Sequence, residues 1–181
     1  MPTTPHPQLK RWTEADLPAW IAIHQDDKVA QWLGGLISAE LLRAAFDRAS
    51  DHLVQHDWGV WAVLDGRGDV VGAAGLQPIR EGFPVRGVEA TWRLRSDAWG
   101  QGLVTAVMPD LLADAFSRFS PEEIIAFTPR RNLKSQSVMK RLGFQRDESR
   151  DFDHPALAND HPLLRHVVYC LKRPQEGQTH D

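Results

Sequence analysis

Apolar residues recur along this chain with two alternating periods, and the switches between them outline a fold. Leu42, Ala45, Phe46, Ala49 and Leu53 fall three or four residues apart, the spacing of one helix face, and Ser38 stands where an N-cap is needed. An earlier helix is expected from the capped, acidic start Thr13-Glu14-Ala15-Asp16 to about His24, with Pro18 tolerated in its first turns. A third helical stripe comprises Leu103, Val107, Leu111, Leu112, Ala115 and Phe116, and Pro109 should kink or shorten it. Strand period is cleanest at residues 88–95. There Val88, Ala90, Trp92 and Leu94 lie on one face, and Glu89, Thr91, Arg93 and Arg95 on the other.

Residues 9–12, 58–64, 70–76 and 124–128 read as further strands, with a hairpin turn at residues 65–69 joining two of them. Gly72 and Gly75 point to a bulge or a close backbone approach in the returning strand. A short helix is expected at residues 133–142, stopped by Gly143, after which residues 144–152 and 166–171 close the sheet as an antiparallel pair. Residues 1–8 and 174–181 are expected to be disordered, leaving one domain at 9–173. Helices inserted after a first strand, around a long mixed sheet, give an α+β sandwich.

Composition narrows the function classes. The 181 residues carry 24 acidic and 21 basic side chains, net −3, which argues against a general nucleic-acid-binding surface. Arg130, Arg131, Lys134, Lys140 and Arg141 nonetheless form a local basic patch suited to an anionic cofactor. Cys170 is the single cysteine, so an intrachain disulfide is excluded. The N-terminus lacks the basic and apolar regions of a signal peptide, and no apolar run approaches roughly eighteen residues, so the expectation is a cytoplasmic protein without a membrane span. Seven tryptophans stand beside one tyrosine. The plain reading makes them core residues; a sharper one places Trp32, before Gly34-Gly35, and Trp99 at a substrate cleft.

Four places can carry chemistry. Trp99-Gly100-Gln101-Gly102-Leu103-Val104 is a glycine turn between a strand and an amphipathic helix, the context in which free N–H groups and the helix dipole hold an anion. Asn132 and Ser135 open the short helix, either as its N-cap and an exposed residue or as ligand contacts. Glu89 is a carboxylate delivered by a strand, able to take a proton from an amine, or alternatively paired with Arg93 or Arg80 in solvent. The segment from Asp151 to His166 holds His154, His161 and His166 among three acids. His154 and His161 each precede a proline, no tight ligand pair exists, and a metal site is not expected.

The glycine turn and the segment from Asn132 through Ser135 to Gly143-Phe144 together resemble the acyl-CoA site of the GCN5-related N-acetyltransferases (GNAT), in the branch that includes ribosomal-protein N-terminal acetyltransferases. The resemblance spans about residues 9–173, and the segment from Phe152 through His154 and His161 to His166 adds to it. It implies a mixed, mostly antiparallel sheet flanked by helices, a three-layer α/β/α sandwich. It also implies acetyl-CoA as co-substrate, transferred directly to a primary amine. Backbone N–H groups of Gln101, Gly102, Leu103, Val104 and Thr105 would hold the pyrophosphate. The strand near Leu94 and Arg95 would meet the thioester, Asn132 the pantetheine arm, and Ser135 the departing sulfur. Glu89 would be the base, with Trp32, His154 and His161 beside the acceptor. Val104 departs from the pattern, standing where relatives carry a small residue, and Tyr169 is the only tyrosine where many relatives use one as the acid. A peptide N-terminus is the acceptor the branch implies; a small-molecule amine or a non-catalytic acyl-CoA sensor are the alternatives, and a homodimer is a further expectation.

Overall fold

The computed structural model describes residues 8–174; the two expected disordered termini fall almost wholly outside them. Eight strands form one sheet: β1 (Leu9–Lys10), β2 (Val60–Leu64), β3 (Val70–Pro78), β4 (Val88–Leu94), β5 (Glu123–Pro129), β6 (Gln145–Arg146), β7 (Phe152–Asp153) and β8 (Arg165–Lys172). Their order is β1-β2-β3-β4-β5-β8-β6, with β7 also on β8, and every pairing is antiparallel except β4 with β5. Helices α1 (Leu17–Gln25), α2 (Asp27–Ala30), α3 (Ala39–His56), α4 (Leu103–Arg118) and α5 (Leu133–Arg141) flank it. Among the described residues no helix is long and apolar enough to cross a membrane.

The helix starts are set by local side chains. Thr13 donates its N–H and hydroxyl to the Asp16 carboxylate (2.9 and 2.8 Å), closing a short 3-10 turn that feeds α1. Ser38 Oγ accepts from Leu41 N–H at the start of α3, which then buries Leu42, Phe46 and Leu53. Trp12, Trp20 and Phe46 meet edge to face beneath α1 and α3, and Trp12 Nε1 donates to Val60 O at 2.8 Å. That tie draws the chain off the sheet after Lys10, which is why the first strand ends two residues before its expected limit.

Two further expectations are corrected. Pro109 lies inside α4 and does not shorten it; it sits on the solvent face, where the carbonyl it leaves unbonded can meet water. The expected strand at 144–152 is broken into β6 and β7. Asp147 accepts from Ser149 N–H, starting a 3-10 turn, while Asp151 accepts from Val168 N–H and Arg146 donates to Val168 O. Side chains thus supplement the backbone bond that remains, Asp147 N–H to Val168 O at 2.9 Å, where the chain leaves the ladder.

Two buried histidines make stability depend on pH. His24 lies against Trp20 with its Nδ1 at 2.8 Å from Trp20 O, and His166 stacks on Phe152. Burial lowers both to about 4 from 6.5, reinforced for His24 by nearby Arg93. Between those values the unfolded chain binds more protons than the folded one, so stability rises with pH across about 4 to 6.5 and is complete above it. Urea titrations at pH 4.5 and 7 are expected to differ by on the order of a few kcal/mol, the acid sample being weaker; no difference would mean that the rings are not held neutral.

Candidate active site

Strands β4 and β5 pair only at their beginnings, Val88 with Ile124 and Glu89 with Ile125. Beyond that point β4 stays on β3 through Leu94, and β5 stays on β8 through Pro129. The two parallel strands therefore splay into a V. Arg95 N–H donates to Val71 O at 2.9 Å, and the alternation of an antiparallel ladder then turns the N–H and C=O groups of Ala90, Trp92 and Leu94 toward the opening. Arg95 itself is turned away: its N–H is used on β3 and its guanidinium holds Asp97.

The glycine turn lies at the mouth of the V. After a 3-10 turn at Ser96–Ala98, Trp99 Nε1 donates to Leu94 O at 2.9 Å, pinning the loop to the end of β4. Gly100 and Gly102 have φ of +77° and +76°, and a Cβ on either would meet no close neighbour, so glycine is required by conformation rather than by space. The first α4 amide bonded to this turn is Ala106 N–H, which reaches Gly102 O at 2.9 Å; no side chain caps Leu103, Val104 or Thr105. Those donors can hold an anion. Val104 points its side chain into the core, so its bulk does not obstruct the cradle. Gln101 is held by its amide to Asp97 O, and Lys134 Nζ sits 4.3 Å from the Trp99 ring, adding a cation beside the turn.

On the β5 side, Asn132 Oδ1 accepts from Ser135 N–H at 3.2 Å and so caps α5, while its Nδ2 has no partner among the described residues. Ser135 is half-buried with a free hydroxyl. Tyr169 is buried and its hydroxyl donates to Gln136 at 3.2 Å, which takes it out of contention as an acid.

Glu89 stands at the base of the V. Gln77, its register partner on β3, donates Nε2–H to its carboxylate at 2.8 Å. Burial pushes the Glu89 carboxyl up, opposed by Gln77 and by the Arg93 and Arg80 charges. The plain picture of a solvated strand carboxylate is thereby replaced: neither arginine reaches ion-pair distance, and the group sits where its charged form is disfavoured.

Neighbouring loops are tied to one another and to the end of β4. A Cβ at Gly34 would lie 3.3 Å from Leu157, so the segment after α2, carrying half-buried Trp32, meets the loop between β7 and β8. Asp26, at the junction of α1 and α2, accepts from Ser96 N–H at 2.8 Å and ties that segment to the end of β4. His154 packs edge-on to Phe83, and both line a cavity of about 270 Å³ with Arg80, Glu81, Gly82, Pro155 and Ala156. His154 and His161 each accept an N–H two residues on through Nδ1, which makes His161 a turn-former. Among the described residues no group of three metal-ligating side chains occurs. Gln77 and Phe83 were not singled out by sequence; only the β3–β4 register and the ring cluster bring them in. A larger cleft of about 380 Å³ at the far edge includes Arg146, Arg150 and Cys170, but Arg146 is paired with Asp151 and Arg150 with Glu123 and Asp147. Burial pushes the Cys170 thiol up to about 11, so it is no nucleophile.

A family model described as an acetyltransferase (GNAT) domain matches residues 8–145, most of the chain. The protein belongs to the GNAT acetyltransferases. Among solved structures, this GNAT chain is similar to a GNAT-family acetyltransferase from Bordetella pertussis (24% identity, TM-score 0.69, covering 90% of this chain and 93% of that one). A ribosomal-protein-alanine N-acetyltransferase from Brucella melitensis matches at 24% identity and TM-score 0.68, covering 91% and 99%. A GNAT acetyltransferase from Bacillus anthracis matches at 16% and 0.72, covering 91% and 93%. The chain is thus an N-acetyltransferase, of a family that takes acetyl-CoA as co-substrate and an amine as acceptor.

Proposed function

We propose that this GNAT enzyme, with residues 9–173 as one catalytic domain, transfers acetyl from acetyl-CoA directly to the N-terminal α-amine of a protein or peptide. The observation that carries it is Glu89: a half-buried carboxylate, its pKa raised by burial and its oxygen held by Gln77, at the base of the V. The resemblance to a ribosomal-protein-alanine N-acetyltransferase supports the same reading.

In this mechanism the amides of Gln101, Gly102, Leu103, Val104 and Thr105 hold the pyrophosphate, and Asn132 Nδ2 donates to the pantetheine arm. Trp92 and Leu94 N–H groups polarise the thioester carbonyl, and they stabilise its oxygen as the amine attacks. Glu89 takes the amine proton, directly or through a water. An α-amine titrates near 7.7–8.0 in reference peptides, about 2.5 units below lysine, so a carboxylate whose pKa is raised by burial is a competent base for it. Collapse breaks the C–S bond, and Ser135 Oγ–H donates to the leaving sulfur.

Incubation with acetyl-CoA and a peptide containing one internal lysine tests the acceptor. Thiol release with the acetyl group mapped by fragmentation to the α-amine is expected; acetyl found only on lysine would overturn the reading. Gly102→Ala tests the cradle. A side chain at φ +76° costs about 1–2 kcal/mol, and the loop must relax away from its ligand. The KM for acetyl-CoA should rise roughly tenfold, with a smaller change in kcat.

A further inference from the structure

Four arginines among the described residues are half-buried: Arg93, Arg95, Arg146 and Arg150. Arg95 holds Asp97, Arg146 holds Asp151, and Arg150 holds Glu123 and Asp147. Arg93 holds nothing. Its guanidinium has no hydrogen bond and no ion pair among the described residues. A half-buried cation without a partner is costly, so it is kept where something else completes it.

Its surroundings define what that something is. Arg93 shares a face of β4 with Glu89 and Thr91, and the groups close enough to act on it are Glu89, Arg80 and, from α1, His24. Glu89 is engaged by Gln77. Arg80, from the loop after β3, rests on the Phe83 ring and has no carboxylate partner; Glu81 beside it is exposed on the rim. His24 and His154 are both held toward the neutral form by burial. Arg93 and Arg80 are thus two cations whose charges both act on one carboxylate, Glu89, in a chain whose net charge is −3.

We propose that Arg93, with Arg80, selects acceptors that carry a carboxylate close to the reacting amine. The inference rests on the acetyl-transfer reading of this site and specifies its substrate class. A guanidinium offers paired N–H donors that match a carboxylate, whereas a cationic acceptor would meet uncompensated positive charge. An extended peptide advances about 3.3 Å per residue, so the anion belongs to the first two or three residues of a chain or to the α-carboxylate of a free amino acid. The shared chemistry is an amine with a nearby carboxylate.

C-terminally amidated peptides that differ only at residue 2 (Asp, Asn or Lys), together with free serine and glutamate, separate the sources. With the full-length enzyme, kcat/KM is expected to favour the Asp peptide over the Asn peptide by roughly tenfold to a hundredfold, the scale of one charge-assisted contact, chiefly through KM. Arg93→Gln should erase that ratio, and Arg93→Glu should tip preference toward the Lys peptide. Arg80→Gln should shrink it. Retention of the acetyl-CoA-dependent thermal shift verifies that each variant is folded. Equal use of all three peptides, or a preference that Arg93→Gln leaves intact, would overturn the inference while the N-terminal reading stands. Turnover confined to the free amino acids, with the same dependence on Arg93, would overturn the N-terminal reading and leave this one intact.

Discussion

Glu89→Gln is expected to lower kcat by about a hundredfold to ten-thousandfold, the range over which a positioned general base acts. The substitution keeps the shape of the side chain and its contact with Gln77, so acetyl-CoA binding should change little. Only the ability to accept a proton is lost. Burial raises the Glu89 pKa, and the base works in its ionised form, so the wild-type rate should climb as pH rises through that raised value. The acidic limb of the pH profile should vanish in the variant. The measurements are kcat against pH for both proteins, with acetyl-CoA affinity from thermal shift as control. An unchanged rate would mean that Glu89 is not the base. A loss of cofactor affinity equal to the loss of rate would assign the residue to binding instead.

Gly75→Ala should produce the largest loss of stability. Gly75 lies in β3 between Val60 of β2 and Thr91 of β4. A Cβ there would run into the Gly59 carbonyl and stand 2.9 Å from Val60 Cα. These are backbone atoms that cannot rotate aside, and Gly59 O already accepts from Leu76 N–H at 3.1 Å. The two strands must separate, at a cost of about 2–3 kcal/mol, or roughly 5–10 °C in Tm for a chain of this size. Gly66→Ala is the control, because nothing lies within 4 Å of a Cβ there and its φ is outside the positive range. Its Tm should move little. If Gly75→Ala melts with the wild type, the sheet is more compliant at β2 than its register implies.

The two substitutions also mark the division between what sequence and tertiary structure decide. The glycine turn, the Ser38 cap, the α3 stripe and the β4 alternation were readable in the chain because each depends on residues within a few positions of one another. Asn132 illustrates the limit of that logic: its capping role is local and was foreseen, whereas the freedom of its Nδ2 depends on the surrounding fold. The family resemblance was readable for the same reason, since an anion cradle is a local motif of backbone conformation.

Glu89 was visible as a carboxylate on a strand face, but its environment was not. Its pairing with Gln77 and Ile125 joins residues 12 and 36 positions apart, and the desolvation that raises its pKa comes from elements far along the chain. The splay of β4 from β5, the isolation of Arg93 and the breaking of the strand at 144–152 have the same character. Each is settled by which backbone edges and charges find partners across the sheet. Periodicity and capping therefore determined which elements form and where the glycine turn lies. Strand pairing and burial, which no local window contains, decided which of the polar side chains on those elements are left free to act.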